Sequence, residues 1–262
     1  MPELPEMETY KVLLEQIIGG QMITGVVINR EKSINVPIEE FTRKVLHQKI
    51  ESIERRAKYV IFRLQNGFCL LLHLMLGGWM YYGTKEEQPD RSIQVQLSFQ
   101  DHHLYFIGLR LGYLHLHTPE MIWRKLQHLG PEPLDPNFSL DAFFSIFQNR
   151  RGGLKTTLMN QEVLSGIGSR YSDEILWHCQ LHPKRRINEL EPSGLVRLYG
   201  SIQSILQLAM QHGGYMDPLY RDDHKTGGYQ MFVHGVEGKN CSRCGNMIVK
   251  ADKMYFCQQC QL

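Results

Sequence analysis

The sequence predicts an α+β protein with a leading helix and antiparallel β-sandwich, then a helical segment, then a short cysteine-bearing ribbon. Three observations carry that expectation. Residues 7–18 place apolar side chains at helical spacing (Tyr10, Val12, Leu13, Leu14, Ile17, Ile18) before Gly19-Gly20. From residue 21 to about 115, short alternating or β-branched runs are separated by turn signals. Two Cys-x-x-Cys pairs then close the chain, Cys241/Cys244 and Cys257/Cys260.

Each part is justified in turn. Runs such as Met22–Ile28, Tyr59–Leu64 and Ile93–Leu97, with turns at Asn66-Gly67 and Gln100-Asp101, read as an antiparallel sandwich. Leu129-Gly130-Pro131-Glu132-Pro133-Leu134 is a rigid connector, and helices are expected at 139–149, 155–160, 172–178 and 193–212. Leu164 to Tyr171 contains two glycines at the start of a helix, where exposed N–H groups favour an anion; taken alone, these residues read first as a plain helix–helix turn. Residues 213–231, rich in Gly, Asp and Tyr, read as a mobile loop. The paired cysteines have the spacing of a four-cysteine zinc ribbon, with Ile248, Val249, Tyr255 and Phe256 as its packing residues. Cys69 and Cys179 lie in apolar text and read as core thiols.

Composition narrows the function classes. At 262 residues, 42% hydrophobic and 21% charged, the chain has the profile of a globular protein of one to three domains. A net charge of only +2 means that any basic surface is local, as at Arg55-Arg56, Arg150-Arg151 and Lys184-Arg185-Arg186. No run of 18 apolar residues and no secretory leader is read, so a cytoplasmic protein without a membrane partner is expected.

The start, Met1-Pro2-Glu3-Leu4-Pro5-Glu6, carries chemistry. Initiator methionine is normally removed before a small residue, which leaves Pro2 as a secondary amine. An α-amino group has a reference pKa of about 8, against about 10.4 for lysine, so far more of it is nucleophilic near neutrality. Attack on a sugar C1′ gives an iminium that serves as an electron sink, and Glu3 is placed to move protons at the same centre. Alone, the same residues also read as a disordered acidic leader.

In this order and spacing, the start, Arg55-Arg56-Ala57-Lys58-Tyr59, His73-Leu74, Leu129–Leu134, Lys155–Tyr171 and the terminal ribbon resemble the formamidopyrimidine-DNA glycosylase / endonuclease VIII family from Met1 to Leu262. The resemblance implies a β-sandwich catalytic domain at 1–130, a helix–two-turn–helix DNA-binding domain at 131–230 and a zinc finger at 231–262. It implies a monomer, nucleoid-associated in a bacterium, acting on double-stranded DNA with damaged or abasic nucleotides. Pro2 would form the Schiff base, Glu3 would transfer protons, and Lys58 would meet phosphate and assist β-elimination. DNA contacts are implied at Leu76, Arg91, Arg110, Arg150, Lys155, Ser169 and Lys253. One structural Zn2+ would sit on Cys241, Cys244, Cys257 and Cys260.

Departures from the family bear on substrate. Leu76 stands at a methionine wedge position, with Met75 expected to point the other way on a strand. Leu109 and Leu111 replace the arginine and phenylalanine of a probing loop, leaving Arg110 next door. Ser169 replaces an asparagine. Asp252 stands five residues before Cys257, where an arginine linked to δ-elimination is usual, with Lys253 beside it. The overall likeness to the family's purine-specific branch makes oxidised purines the expected substrate, and the missing arginine makes β-elimination the expected lyase step. Oxidised pyrimidines, a non-catalytic binder of damaged or abasic DNA, and a zinc-ribbon accessory protein remain as alternatives.

Overall fold

Helix α1 spans Leu4–Ile18 because its first turn is capped from both sides. The Glu3 side chain accepts from the backbone N–H of Glu6, and the Glu3 N–H donates to Glu6 Oε2 at 2.7 Å. That capping box starts the helix three residues before the apolar periodicity does. Leu4, Met7, Tyr10, Leu13, Leu14 and Ile18 form its buried stripe. The computed structural model describes all 262 residues, and their contacts divide into two units.

The first unit comprises Met1–Gln127 and His212–Gly228. Its strands are β1 (Gly25–Ile28), β2 (Ile50–Arg56), β3 (Tyr59–Leu64), β4 (Cys69–His73), β5 (Trp79–Gly83), β6 (Ile93–Phe99), β7 (His102–Ile107) and β8 (Tyr113–His117), with α2 at Ile38–Val45 and α3 at Pro119–Leu126. They pair antiparallel in two four-stranded sheets, ordered β1-β6-β7-β5 and β2-β3-β4-β8. Alternation decides the faces: Val60, Phe62, Leu70, Leu72, Leu114 and Leu116 join Val95, Leu97, Leu104 and Phe106 in one core that α1 also enters. The free edge of β8 is satisfied by Asn35, whose amide donates to Leu116 O at 2.9 Å and accepts from Leu116 N at 2.7 Å.

Residues 212–228 do not form the loose loop expected from their composition. Leu219 is fully buried in the first core, and its carbonyl accepts from Tyr82 N at 2.6 Å. The Asp223 carboxylate gathers Leu219 N, Lys225 N and Thr226 Oγ1, all within 2.8 Å. Gly213 and Gly214 adopt φ of 70° and 68°, and a Cβ on Gly213 would fall 1.8 Å from the Lys225 carbonyl. The division into three consecutive segments is also replaced: 212–228 returns to the sandwich, and the cysteine ribbon packs with the helices.

The second unit comprises His128–Gln211 and Tyr229–Leu262. Helices α4 (Leu140–Phe147), α5 (Leu154–Met159), α6 (Ser169–His178) and α7 (Pro192–Gln211) enclose Phe143, Phe147, Leu158, Leu164, Ile175, Leu198 and Ile205. The observed helices begin and end within three residues of the expected ones. Strands β9 (Ile248–Ala251) and β10 (Met254–Cys257) form the ribbon hairpin. Its turn residues Asp252 and Lys253 both have positive φ, 49° and 64°, as a two-residue hairpin matched to strand twist requires.

Candidate active site and metal centre

The first unit buries Glu3 and Lys58, while Pro2, next to Glu3 in the chain, is half-buried. Glu3 is 2% exposed and Lys58 5%. Lys58 sits in the β2–β3 turn, after Ala57 at φ 52°. That left-handed alanine costs roughly 1–2 kcal/mol. It lets Arg56 pair with Tyr59 while the lysine turns inward. Burial pulls the Lys58 ammonium below the usual lysine range, and the Glu3 and Glu6 carboxylates oppose that pull. Next to it, His73 is held down to about 4, chiefly by burial and then by the Lys58 charge. Its ring lies 4.4 Å from that of Tyr59. With Met1 attached, the Pro2 nitrogen is an amide whose lone pair is tied up in resonance.

Glu6 is a linking residue that sequence reading left unassigned. It is fully buried; besides its bond to Glu3 N, its Oε1 accepts from Tyr215 N at 2.8 Å. One carboxylate thus joins the N-terminal turn to the 212–228 segment. The sequence signal was the Glu3-x-x-Glu6 capping-box spacing.

Leu76 and the 107–112 loop stand side by side in the same unit. Strand β4 ends at His73, so Met75 is not on a strand as expected; it takes φ 53° in a turn completed by Gly77 at 83°. This turn leaves Leu76 68% exposed. A Cβ on Gly108 would lie 2.1 Å from the Gly77 carbonyl, and one on Gly112 2.6 Å from the carbonyls of His73 and Leu74. Backbone contact this close permits only glycine and locks the two loops together. Leu109 is fully buried, whereas Arg110 is exposed and Leu111 is 63% exposed. Arg91 places its guanidinium 5.7 Å from the Trp79 ring centroid, at a pocket of about 570 Å³ lined also by Tyr81, Asp217, Tyr220 and Arg221.

The other DNA-contact candidates lie in the second unit. Arg150 is exposed, with its Nε donating to Ile146 O at 3.0 Å. Ser169 is half-buried at the first position of α6, following Gly168. Lys253 is exposed at the hairpin turn, while Asp252 pairs with Lys184 at 2.6 Å. Lys155 departs from expectation. It is 7% exposed, and its Nζ donates to Asp173 Oδ1 at 2.6 Å and to the Lys253 carbonyl at 2.9 Å. Asp173 Oδ2 meets His234 Nδ1 at 2.8 Å. Beside it, buried Glu174 accepts the backbone N–H groups of Phe232, Val233 and His234. In this structure Lys155 is a strut inside the second unit, tying Asp173 to the hairpin turn at Lys253.

The four cysteines of the ribbon converge, with all sulfurs within 4.8 Å of one another. Cys241 Sγ is 3.9 Å from Cys260 Sγ, and Cys244 Sγ is 3.5 Å from Cys257 Sγ. A tetrahedral site with bonds of about 2.3 Å requires sulfur–sulfur edges of about 3.8 Å, so the donor set fits a structural metal ion. Trp177 Nε1 donates to Cys241 Sγ at 3.4 Å, and the Trp177 ring stacks on Phe232 on one contact and meets Arg243 on another.

An N-terminal model described as the formamidopyrimidine-DNA glycosylase N-terminal domain matches residues 1–113, and one described as the H2TH domain of the same protein matches 129–217. Relatives along the full chain include the formamidopyrimidine-DNA glycosylases of Herpetosiphon aurantiacus, 32% identical over 100% of both chains, and Listeria innocua, 31% identical over 100% of both. Among solved structures, a Lactococcus lactis mutant enzyme in complex with DNA containing Fapy-dG matches at TM-score 0.90 and 30% identity, over 99% of each chain. A complex of the Lactococcus lactis protein with DNA containing an abasic site matches at TM-score 0.90 and 29% identity, over 99% of each chain. The fold and its site define a DNA glycosylase architecture, an N-terminal sandwich joined to an H2TH unit and a four-cysteine ribbon. The chain belongs to the formamidopyrimidine-DNA glycosylase family. No helix is long and apolar enough to cross a membrane.

Proposed function

We propose that this chain is a bifunctional glycosylase and abasic-site lyase that removes oxidised purines, formamidopyrimidine and 8-oxoguanine, from duplex DNA. The observation that carries the reading is the burial of Glu3, the residue after Pro2 in the chain, with Lys58 buried close enough to feel its charge. Once Met1 is removed, the Pro2 nitrogen attacks C1′ and the bond from C1′ to the damaged base breaks. Glu3 supplies a proton to the departing base or the sugar oxygen, and the opened sugar is left as an iminium. The iminium acidifies the C2′ proton; its loss breaks the C3′–O bond, and the 3′ phosphate leaves. Water then releases the amine. Lys58 steadies the phosphate and serves as acid in that elimination; burial pulls its pKa down, and Glu3 and Glu6 oppose that pull. The base must first leave the stack. Leu76, Arg110 and Leu111 fill the gap, and Arg91, Arg150, Lys155, Ser169 and Lys253 are the proposed contacts to the DNA backbone. Cys241, Cys244, Cys257 and Cys260 hold one zinc ion that fixes the ribbon.

One observation favours oxidised pyrimidines instead: Leu109 is buried, so no side chain probes from that position. Borohydride trapping on duplexes bearing 8-oxoguanine, formamidopyrimidine, thymine glycol or an abasic site decides. Adducts on purine lesions and the abasic duplex, absent from Pro2→Gly and from protein retaining Met1, support the proposal. No adduct from processed protein sinks it.

A further inference from the structure

The 107–112 loop is held from inside by a side chain outside every motif that marks the family. Arg30, half-buried at the end of the β1 segment, donates from Nη1 to the Leu109 carbonyl at 3.2 Å and from Nη2 to the Arg110 carbonyl at 3.2 Å. The same Nη1 approaches Ser33 Oγ at 3.4 Å, and Ser33, itself fully buried, reaches the Leu109 carbonyl at 3.5 Å. From the other side, Gln94 Oε1 accepts the Leu109 N–H at 2.9 Å, and Gln94 is 5% exposed. The Gln94 carbonyl in turn accepts the N–H groups of Asn29 and Arg30, which ties the brace back to itself. Both polar groups of the Leu109 backbone are thus saturated, and its side chain is buried. What remains free on this loop is Arg110 and Leu111, immediately beyond the anchored residue.

We infer that Arg30 is a positioning residue that sets how this protein discriminates the base opposite a lesion. A planar guanidinium that grips two consecutive carbonyls fixes the peptide between them, and so the direction in which the Arg110 side chain leaves the loop. Gly108 and Gly112 fix the ends of the loop against the Leu76 turn. Arg30 fixes its middle. Leu109 is then the loop's internal anchor, and reading of the opposite base falls to Arg110, oriented through Arg30. A lysine at position 30 offers one nitrogen in place of the two that Arg30 uses and cannot reproduce the planar two-nitrogen grip.

The inference rests on the reading that the chain binds damaged duplex DNA, and the test separates the two. Wild type, Arg30→Met, Arg30→Lys and Arg110→Ala are titrated by fluorescence anisotropy against duplexes carrying a tetrahydrofuran abasic analogue opposite C, A, G or T. Hydrogen exchange of residues 108–112 is measured in the free proteins, and borohydride trapping on an abasic duplex is run alongside. Arg30→Met is expected to speed exchange of these amides about tenfold, the effect of losing two hydrogen bonds, and to flatten the opposite-base preference about fivefold. Arg30→Lys is expected to fall between, with trapping by both Arg30 variants close to wild type. Unchanged exchange or an unchanged opposite-base ratio in Arg30→Met overturns the inference while leaving the trapping result, and the proposed function, standing. An Arg110→Ala protein that keeps the wild-type ratio overturns it too. Failure of the wild type to bind any of the duplexes removes the functional reading and this inference together.

Discussion

Replacing Lys155 by methionine separates two roles for that lysine and has a magnitude that follows from the structure. Its side chain is 8% exposed and that of Asp173 0%, so the 2.6 Å ion pair lies out of water. Methionine keeps the aliphatic stem and deletes the charge. Removing one partner of a buried pair costs about 3–5 kcal/mol, mostly because the other charge is stranded. Asp173 keeps His234 on its second oxygen, which places the expected loss at the lower end, about 3 kcal/mol. With a urea slope of about 2 kcal/mol/M, the midpoint falls by about 1.5 M. Trp177 reports on this unit, since Trp79 and Trp123 belong to the other, so the measurement is urea unfolding followed by Trp177 fluorescence in a Trp79→Phe, Trp123→Phe background. Adding Asp173→Asn to Lys155→Met is expected to recover most of the loss, because no charge is then stranded. A phosphate contact predicts the opposite pattern. If Lys155→Met keeps its stability within about 0.5 kcal/mol while the salt slope of DNA binding drops by about 0.9, the amount carried by one phosphate contact, the strut is refuted.

Three further outcomes follow from the same structure. The pKa of His73 in the folded chain is held near 4, below its ordinary 6.5. Between those values the unfolded chain binds a proton that the folded site refuses, so stability falls as pH drops from 6.5 to 4, by an amount on the order of 3 kcal/mol; a His73→Phe protein should show a shallower loss in urea unfolding across that window. Chelation should release one equivalent of zinc, read with a chromophoric indicator, and change Trp177 emission, because its Nε1 donates to Cys241 Sγ; emission that ignores metal loss contradicts that coupling. Gly108→Ala must place a Cβ about where the Gly77 carbonyl lies, at a left-handed φ of 69°; weaker binding to abasic duplexes with an unchanged melting curve for the second unit is expected, and wild-type binding would show the loops are not locked.

The sequence made local features legible and long-range ones opaque. Helix limits and strand alternation were readable because each depends on residues within a turn or a strand, and the cysteine spacing named its own cluster. The Met75 turn was misread as strand because a left-handed residue ahead of Gly77-Gly78 costs little next to the burial of Leu74. The 212–228 segment has the composition of a loose loop, yet buries Leu219 and folds around Asp223, contacts set by the whole core. The family resemblance implies a DNA contact at Lys155 and says nothing of its partners Asp173 and Lys253, which lie 18 and 98 positions away. Arg30 meets Leu109 and Arg110 across 79 and 80 positions, and nothing near it in the chain signals that meeting.

Glu6 gives the N-terminal turn and the 212–228 segment a common joint. Two parts of the chain more than 200 positions apart therefore share one acceptor, and neither can shift without loosening the other's bond. Anything that draws the Gly214–Tyr215 backbone toward a ligand tugs on the turn that presents Pro2. A shift of that backbone therefore loads the same carboxylate that caps the N-terminal turn, and a Glu6→Gln protein, which keeps one acceptor oxygen and loses the charge, would measure how stiff the linkage is.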